Sequence, residues 1–179
     1  MIGLIISAVL SGAVASPVRV VGGNDASHAP QTSWTCNAPA GSSDKNGIAI
    51  SSLVIAGSIQ IEKVRENEQW APVASFNFRP ERGAQRFAGV SLYMRPGDTR
   101  KLYVRATGFK RDGREIGSIS LTGPIDVRVA LDQTGTLDVK AGTVTATIHG
   151  ARFQPTVGEV SCSSGQFLFS NLSGNIINY

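Results

Sequence analysis

Apolar and polar residues alternate with a period of two through most of the chain, and helical spacing is nearly absent. Val90-Ser91-Leu92-Tyr93-Met94-Arg95 and Lys101-Leu102-Tyr103-Val104-Arg105-Ala106-Thr107 are two such segments, with Pro96-Gly97-Asp98-Thr99-Arg100 as the reversal between them. Setting Leu92 against Val104 also opposes Tyr93 to Tyr103 and Arg95 to Lys101. A slip of one residue would mix the two faces. Asp112-Gly113, between Arg111 and Arg114, predicts a two-residue hairpin. Its register opposes Ala106 to Ile119, Val104 to Leu121 and Arg105 to Ser120, which extends the pair to a three-stranded meander.

A second meander follows. Ile125 to Leu131 alternates, turns at Asp132-Gln133-Thr134-Gly135, returns through Leu137 and Val139, and reverses at Ala141-Gly142 into Val144 to Ile148. Val129 then faces Val139, and Val139 faces Val144. Further strands are predicted at 48–64, 73–78, 157–162 and 167–172. About ten short antiparallel strands with one apolar face each must bury those faces on one another, so the expected fold is all-β, a single antiparallel two-sheet β-sandwich.

Composition agrees: 17% of the 179 residues are charged, a low share for a helical protein, and 20 glycines suit many tight turns. No linker, repeat or low-complexity stretch interrupts residues 16–179, read as one domain. The net charge of +4 is compatible with a polyanionic partner without demanding nucleic acid, and none is expected. Residues 1–15 read as a signal peptide, because the apolar run Ile2 to Val14 ends in Ala13-Val14-Ala15 before Ser16, a small-x-small cleavage pattern. The run is too short to be a transmembrane segment. The expected location is secreted or periplasmic.

The two cysteines, Cys36 and Cys162, are expected to form a disulfide in an oxidising compartment. Closing that loop would contribute about 5 kcal/mol in the chain-entropy model. His28 and His149 show no ligand spacing with them, so no metal and no cofactor is expected.

Leu131 to Val139, the turn at Ala141-Gly142, and the closing Glu159-Val160-Ser161-Cys162-Ser163-Ser164-Gly165 with Phe167 and Phe169 resemble the late strands of concanavalin A-like, laminin-G-like jelly rolls. The resemblance covers about the C-terminal third of the chain and implies glycan binding, or hydrolysis or elimination of polysaccharides. Fold alone does not choose among these. Arg19-Val20-Val21-Gly22-Gly23 resembles the activation site of trypsin-like proteases, but the Ala-Ala-His-Cys and Gly-Asp-Ser-Gly-Gly contexts of that family are missing. The segment reads instead as an extended lead into the first strand.

A retaining glycosidase needs two carboxylates about 5 Å apart, projecting from one face. Glu66 and Glu68 have that spacing but sit in the polar stretch Arg65-Glu66-Asn67-Glu68-Gln69, which reads as a loop. Asp126 and Asp132 flank a strand as surface and turn residues. No nucleophile elbow, phosphate loop or metalloprotease His-Glu pair occurs. No catalytic residue is assigned on this basis.

The remaining chemistry lies on the polar face of the first meander. Residues 95–114 hold seven basic residues against Asp98 and Asp112, a net +5. The predicted ligand-binding residues are Tyr93, Arg95, Lys101, Tyr103, Arg105 and Ser120. Tyrosine rings stack on sugars, and guanidinium forks grip carboxylate or sulfate. An ordinary solvated sheet face also favours Lys, Arg, Tyr and Thr. Three function classes follow: a noncatalytic carbohydrate-binding sandwich, with an acidic polysaccharide as partner; a polysaccharide lyase or glycoside hydrolase, for which Arg105, Tyr103 and His149 are candidates; and a structural or adhesive envelope protein.

Overall fold

The computed structural model describes residues 12–13, 18–21, 31–36, 50–64, 71–80, 88–108, 113–151 and 156–178. These form thirteen strands: β1 (Gly12–Ala13), β2 (Val18–Val21), β3 (Gln31–Cys36), β4 (Ile50–Val64), β5 (Val73–Pro80), β6 (Ala88–Arg95), β7 (Asp98–Thr107), β8 (Arg114–Ser120), β9 (Ile125–Asp132), β10 (Leu137–Ala141), β11 (Val144–Ile148), β12 (Thr156–Ser163) and β13 (Gly165–Asn178). Seven make sheet A, in the order β1-β13-β4-β9-β10-β11 with β2 also on β13; six make sheet B, in the order β3-β12-β5-β6-β7-β8. All pairings are antiparallel, as the two-sheet sandwich requires.

Alternation decides what lies between the sheets. Strand β9 buries Ile125, Val127, Val129 and Leu131 and exposes Asp126 and Arg128. Strands β6 and β7 bury Leu92, Met94, Leu102, Val104 and Ala106, which meet Phe76 and Phe78 of β5 in one continuous core. The layers lock through Phe76 of sheet B and Phe169 of sheet A, whose ring centroids are 5.6 Å apart at 57°. Such tilted pairs favour ring edge against ring face. Gly57 makes room for them, since a Cβ there would lie 2.7 Å from Leu172 and 3.3 Å from the Phe76 ring.

Several pairings match the alternation. Leu92 opposes Val104 and Tyr93 opposes Tyr103; Val129 opposes Val139. Others differ. Arg95 pairs with Asp98 rather than Lys101, because the ladder shifts between Tyr93 and Arg95. On the next strand Ala106 pairs with Arg114 rather than with Ile119. Val104 therefore opposes Gly117, Arg105 opposes Glu115, and Lys101 opposes Ser120. At β11 the partner of Val139 is Ala146, and Val144 sits against Ala141.

The expected disulfide is corrected by the register. Strands β3 and β12 are neighbours, but Cys36 opposes Thr156, six residues before Cys162. That is about 20 Å along a strand, whereas a disulfide requires Cα atoms within about 7 Å. The Cys162 side chain is instead buried in the core. The Arg19-Val20-Val21 segment is strand β2, paired with Gln166–Phe169 of β13. Residues 1–11, His28, Glu66, Glu68 and the Lys110-Arg111-Asp112 segment lie outside the described residues. Among the described residues no helix is long and apolar enough to cross a membrane.

Candidate functional site

The outward face of sheet B carries a cross-strand ladder on β6, β7 and β8. Because Tyr93 and Tyr103 are directly opposed, their rings lie side by side, with centroids 5.8 Å apart and planes at 35°. An arginine covers each ring. The Arg95 guanidinium sits 4.0 Å from the Tyr103 centroid, and that of Arg105 lies 4.9 Å from the Tyr93 centroid. Both distances are within reach of the attraction between a cation and a ring face.

Two carboxylates fix this arrangement. Glu115 Oε2 accepts hydrogen bonds from the Tyr93 hydroxyl and, at 2.7 Å, from Arg95 Nη2. Asp98 Oδ2 accepts from the Tyr103 hydroxyl at 2.9 Å. The Tyr93 hydroxyl, followed by the Arg95 hydrogen bond, holds the Glu115 carboxyl below its ordinary range. The Tyr103 hydroxyl does the same for Asp98, and the Asp98 hydrogen bond raises the Tyr103 phenol above its usual value. Arg95 is about half exposed, with 51% of its side-chain surface accessible, so its ion pair with Glu115 sits in a high-dielectric, salt-screened setting.

Both carboxyl groups are depressed, so their contribution to stability is present above the ordinary carboxylate range and is lost as pH falls through the lower folded-state values. Thermal unfolding of wild type and Glu115→Gln from pH 7 to pH 3 should show the wild type more stable near neutrality and the two converging in acid. A gap independent of pH would mean that the Glu115 charge does not hold the ladder.

Of the six sequence-predicted residues, the fold gathers Tyr93, Arg95, Tyr103 and Arg105. Lys101 and Ser120 pair with each other one step along β7 and β8. Glu115 and Asp98 are the residues that sequence reasoning missed. Unbroken alternation from Ser118 and Ser120 would turn Glu115 towards the core, but the ladder shifts between Val104 and Arg105 and brings Glu115 beside Arg105 on the outer face. The signal available was Gly117, since an isolated glycine inside a strand pattern marks a bulge.

The ladder continues sideways into hydroxyl groups. Arg105 opposes Ser91, Ser91 opposes Ser75, and Ser75 opposes Ser161. The Ser75 and Ser91 hydroxyls are 2.9 Å apart. Small residues on β5, β6 and β12 thus border the tall Tyr and Arg side chains with a low polar floor, in which Ser91 and Ser161 are half-buried and Ser75 is buried. His149 does not join this group: its contact among the described residues is with Thr136, at 3.4 Å. Asp126 and Asp132 are likewise used locally, Asp126 by the Ser58 hydroxyl and Asp132 by Thr134 and the Thr136 amide.

No family model matches the chain, and no curated protein matches it. Solved structures do. An alginate lyase from Alteromonas sp. 272 superposes with a TM-score of 0.57 at 9% identity, over 92% of this chain and 89% of its own. An alginate lyase from Pseudomonas aeruginosa gives 0.53 at 14% identity over 72% of this chain, which spans 66%, just under two thirds, of that protein. The CBM2 module of the evolved Dit of Lactobacillus casei BL23 phage J-1 gives 0.53 at 11% identity, over 83% of this chain and 70% of the module. At such identities the likeness carries the fold alone, an antiparallel two-sheet sandwich of the jelly-roll type.

Proposed function

We propose that this chain is an exported, noncatalytic glycan-binding sandwich that takes an acidic polysaccharide on the outer face of sheet B. The observation that carries the reading is the Tyr-Arg ladder. Arg95 is committed to Glu115, whereas Arg105 lies over Tyr93 with no carboxylate hydrogen bond among the described residues. Arg105 is exposed, and its strand neighbour across the ladder is Ser91. A uronate carboxylate can take the free edge of its guanidinium while sugar hydroxyls meet the serine floor. Removal of residues 1–15 as a leader would take the two-residue β1 from the edge of sheet A and leave β2 in place on β13, with residues 16–179 as the working domain.

Affinity electrophoresis or calorimetry with polyuronates and with a neutral glucan tests the reading. Binding should favour the polyuronate and weaken with salt, because exposed attractions are screened beyond about 8 Å at physiological ionic strength. Arg105→Ala should weaken binding about tenfold, the effect of losing one charge-assisted hydrogen bond, and flatten the salt dependence. Tyr103→Ala should weaken binding with less change in salt dependence. Unchanged binding by both folded variants would overturn the site.

A lyase is the second reading, favoured by the fold shared with the alginate lyases and by a phenol held beside a guanidinium at Tyr103 and Arg95. Continuous absorbance at 235 nm during incubation with the polymer separates the two. A rise from unsaturated uronate products would establish the lyase, and a flat trace with retained binding would support the noncatalytic domain.

A further inference from the structure

We propose that the outer face of sheet A, on the opposite side of the sandwich, holds a second and separate site for a single oxyanion, a carboxylate or a sulfate, built on Arg128 and Lys140. The alternation of β9 turns Asp126 and Arg128 outward, that of β10 turns Asp138 and Lys140 outward, and β11 exposes Thr145 and Thr147. The register sets Lys140 directly between Arg128 on one side and Thr145 on the other. Two like charges in directly opposed positions repel and weaken the strand pair.

The carboxylates of the same face do not relieve that repulsion. Asp126 accepts from the Ser58 hydroxyl at 2.5 Å on one flank, and Asp138 accepts from the Thr147 hydroxyl at 2.6 Å on the other. Each acid is drawn outward to a neighbouring strand. Among the described residues neither Arg128 nor Lys140 has an ion-pair partner. Between them lies a depression of about 440 Å³ lined by Arg128, Asp138, Lys140, Thr145 and Thr147.

The donor set has a planar fork, a point-like ammonium and a hydroxyl, which suits a small oxyanion approached from one side. An anion seated there would replace cation repulsion with two attractions. Asp126 and Asp138 bound the site along the strands. A polymer carrying a charge on every unit would meet those carboxylates, so the geometry selects an isolated group. This sets the site apart from the sheet B ladder, and it stands whether or not that ladder binds glycan.

Amide chemical-shift titration of the full chain with sodium sulfate and with sodium acetate, each against sodium chloride at matched ionic strength, tests the proposal. Saturable shifts are expected at Arg128, Lys140, Thr145 and their strand neighbours. They should weaken at least tenfold in Arg128→Gln and in Lys140→Gln and persist unchanged in Arg105→Ala. Both substituted positions are exposed, and thermal unfolding will verify that the variants fold. Tighter sulfate binding would identify a sulfate ester as the natural group, and tighter acetate binding a carboxylate. Shifts that do not saturate, that match those in chloride, or that survive replacement of both residues would overturn the proposal.

Discussion

Replacement of Phe76 by alanine is expected to remove about 3–5 kcal/mol of stability, the usual cost of deleting a fully buried aromatic side chain. Phe76 is completely buried, and its ring bridges the layers by packing on Phe169. Its opposed residues across the strands are Val90 and Val160, both also fully buried, so no polar or mobile neighbour is placed to refill the space. The loss compares with the whole stability of many domains, about 5–15 kcal/mol. Urea unfolding should show a large fall in midpoint, and Phe76→Leu a smaller one, because that change leaves less empty volume. A midpoint within experimental error of wild type would mean that the two layers do not meet at this ring pair.

Gly135→Ala is expected to produce the second largest loss, through the backbone. Gly135 has φ +80, in the left-handed region, where a side chain costs about 1–2 kcal/mol. Its Cβ would also lie 1.9 Å from the Ala151 carbonyl oxygen, so the chain that folds over the turn must move. That chain is tied to the turn itself, since the Ala151 amide donates to the Gly135 carbonyl at 2.9 Å. The combined loss should exceed about 2 kcal/mol and lower the melting temperature by roughly 5 °C or more. A melting temperature equal to wild type would show that residues near Ala151 do not pack on the turn.

How far the alternation reaches is clear at the first meander. Leu92 with Val104 and Tyr93 with Tyr103 follow from it, because a one-residue slip would expose the core face. A slip by an even number carries no such penalty. From Lys101 to Val104 the β7–β8 pairing lies four residues from the register drawn from Asp112-Gly113, and Leu102 and Ile119 still meet inside; beyond the bulge it lies five residues away. For β7 and β8 the core face at Leu102, Val104 and Ile119 was legible and the partners were not. Bulges explain the rest, since the shifts after Tyr93 and at Val104 give Asp98 and Glu115 to the ladder and turn a uniformly basic face into one with its own counterions. For the cysteines, no sequence pattern fixes position along a strand, and Cys36 falls opposite Thr156 rather than Cys162.

Strand β13 has a consequence for how the protein is made. It lies between β4 on one side and β1 and β2 on the other, with Phe169 opposite Val18 and Ile59. Every one of these partners precedes β13 by a long stretch of chain, and β3 waits in the same way for β12. Neither sheet holds its full set of strands until the segment 156–178 has been made, although the hairpins β6–β7 and β9–β10 pair locally before it. Pairings this distant in sequence form in milliseconds to seconds rather than microseconds. In that interval the edges of β4 and β5 are open, which makes a crowded, fast-expressing cytoplasm a poor place to produce the protein and slow, chaperoned synthesis a better one.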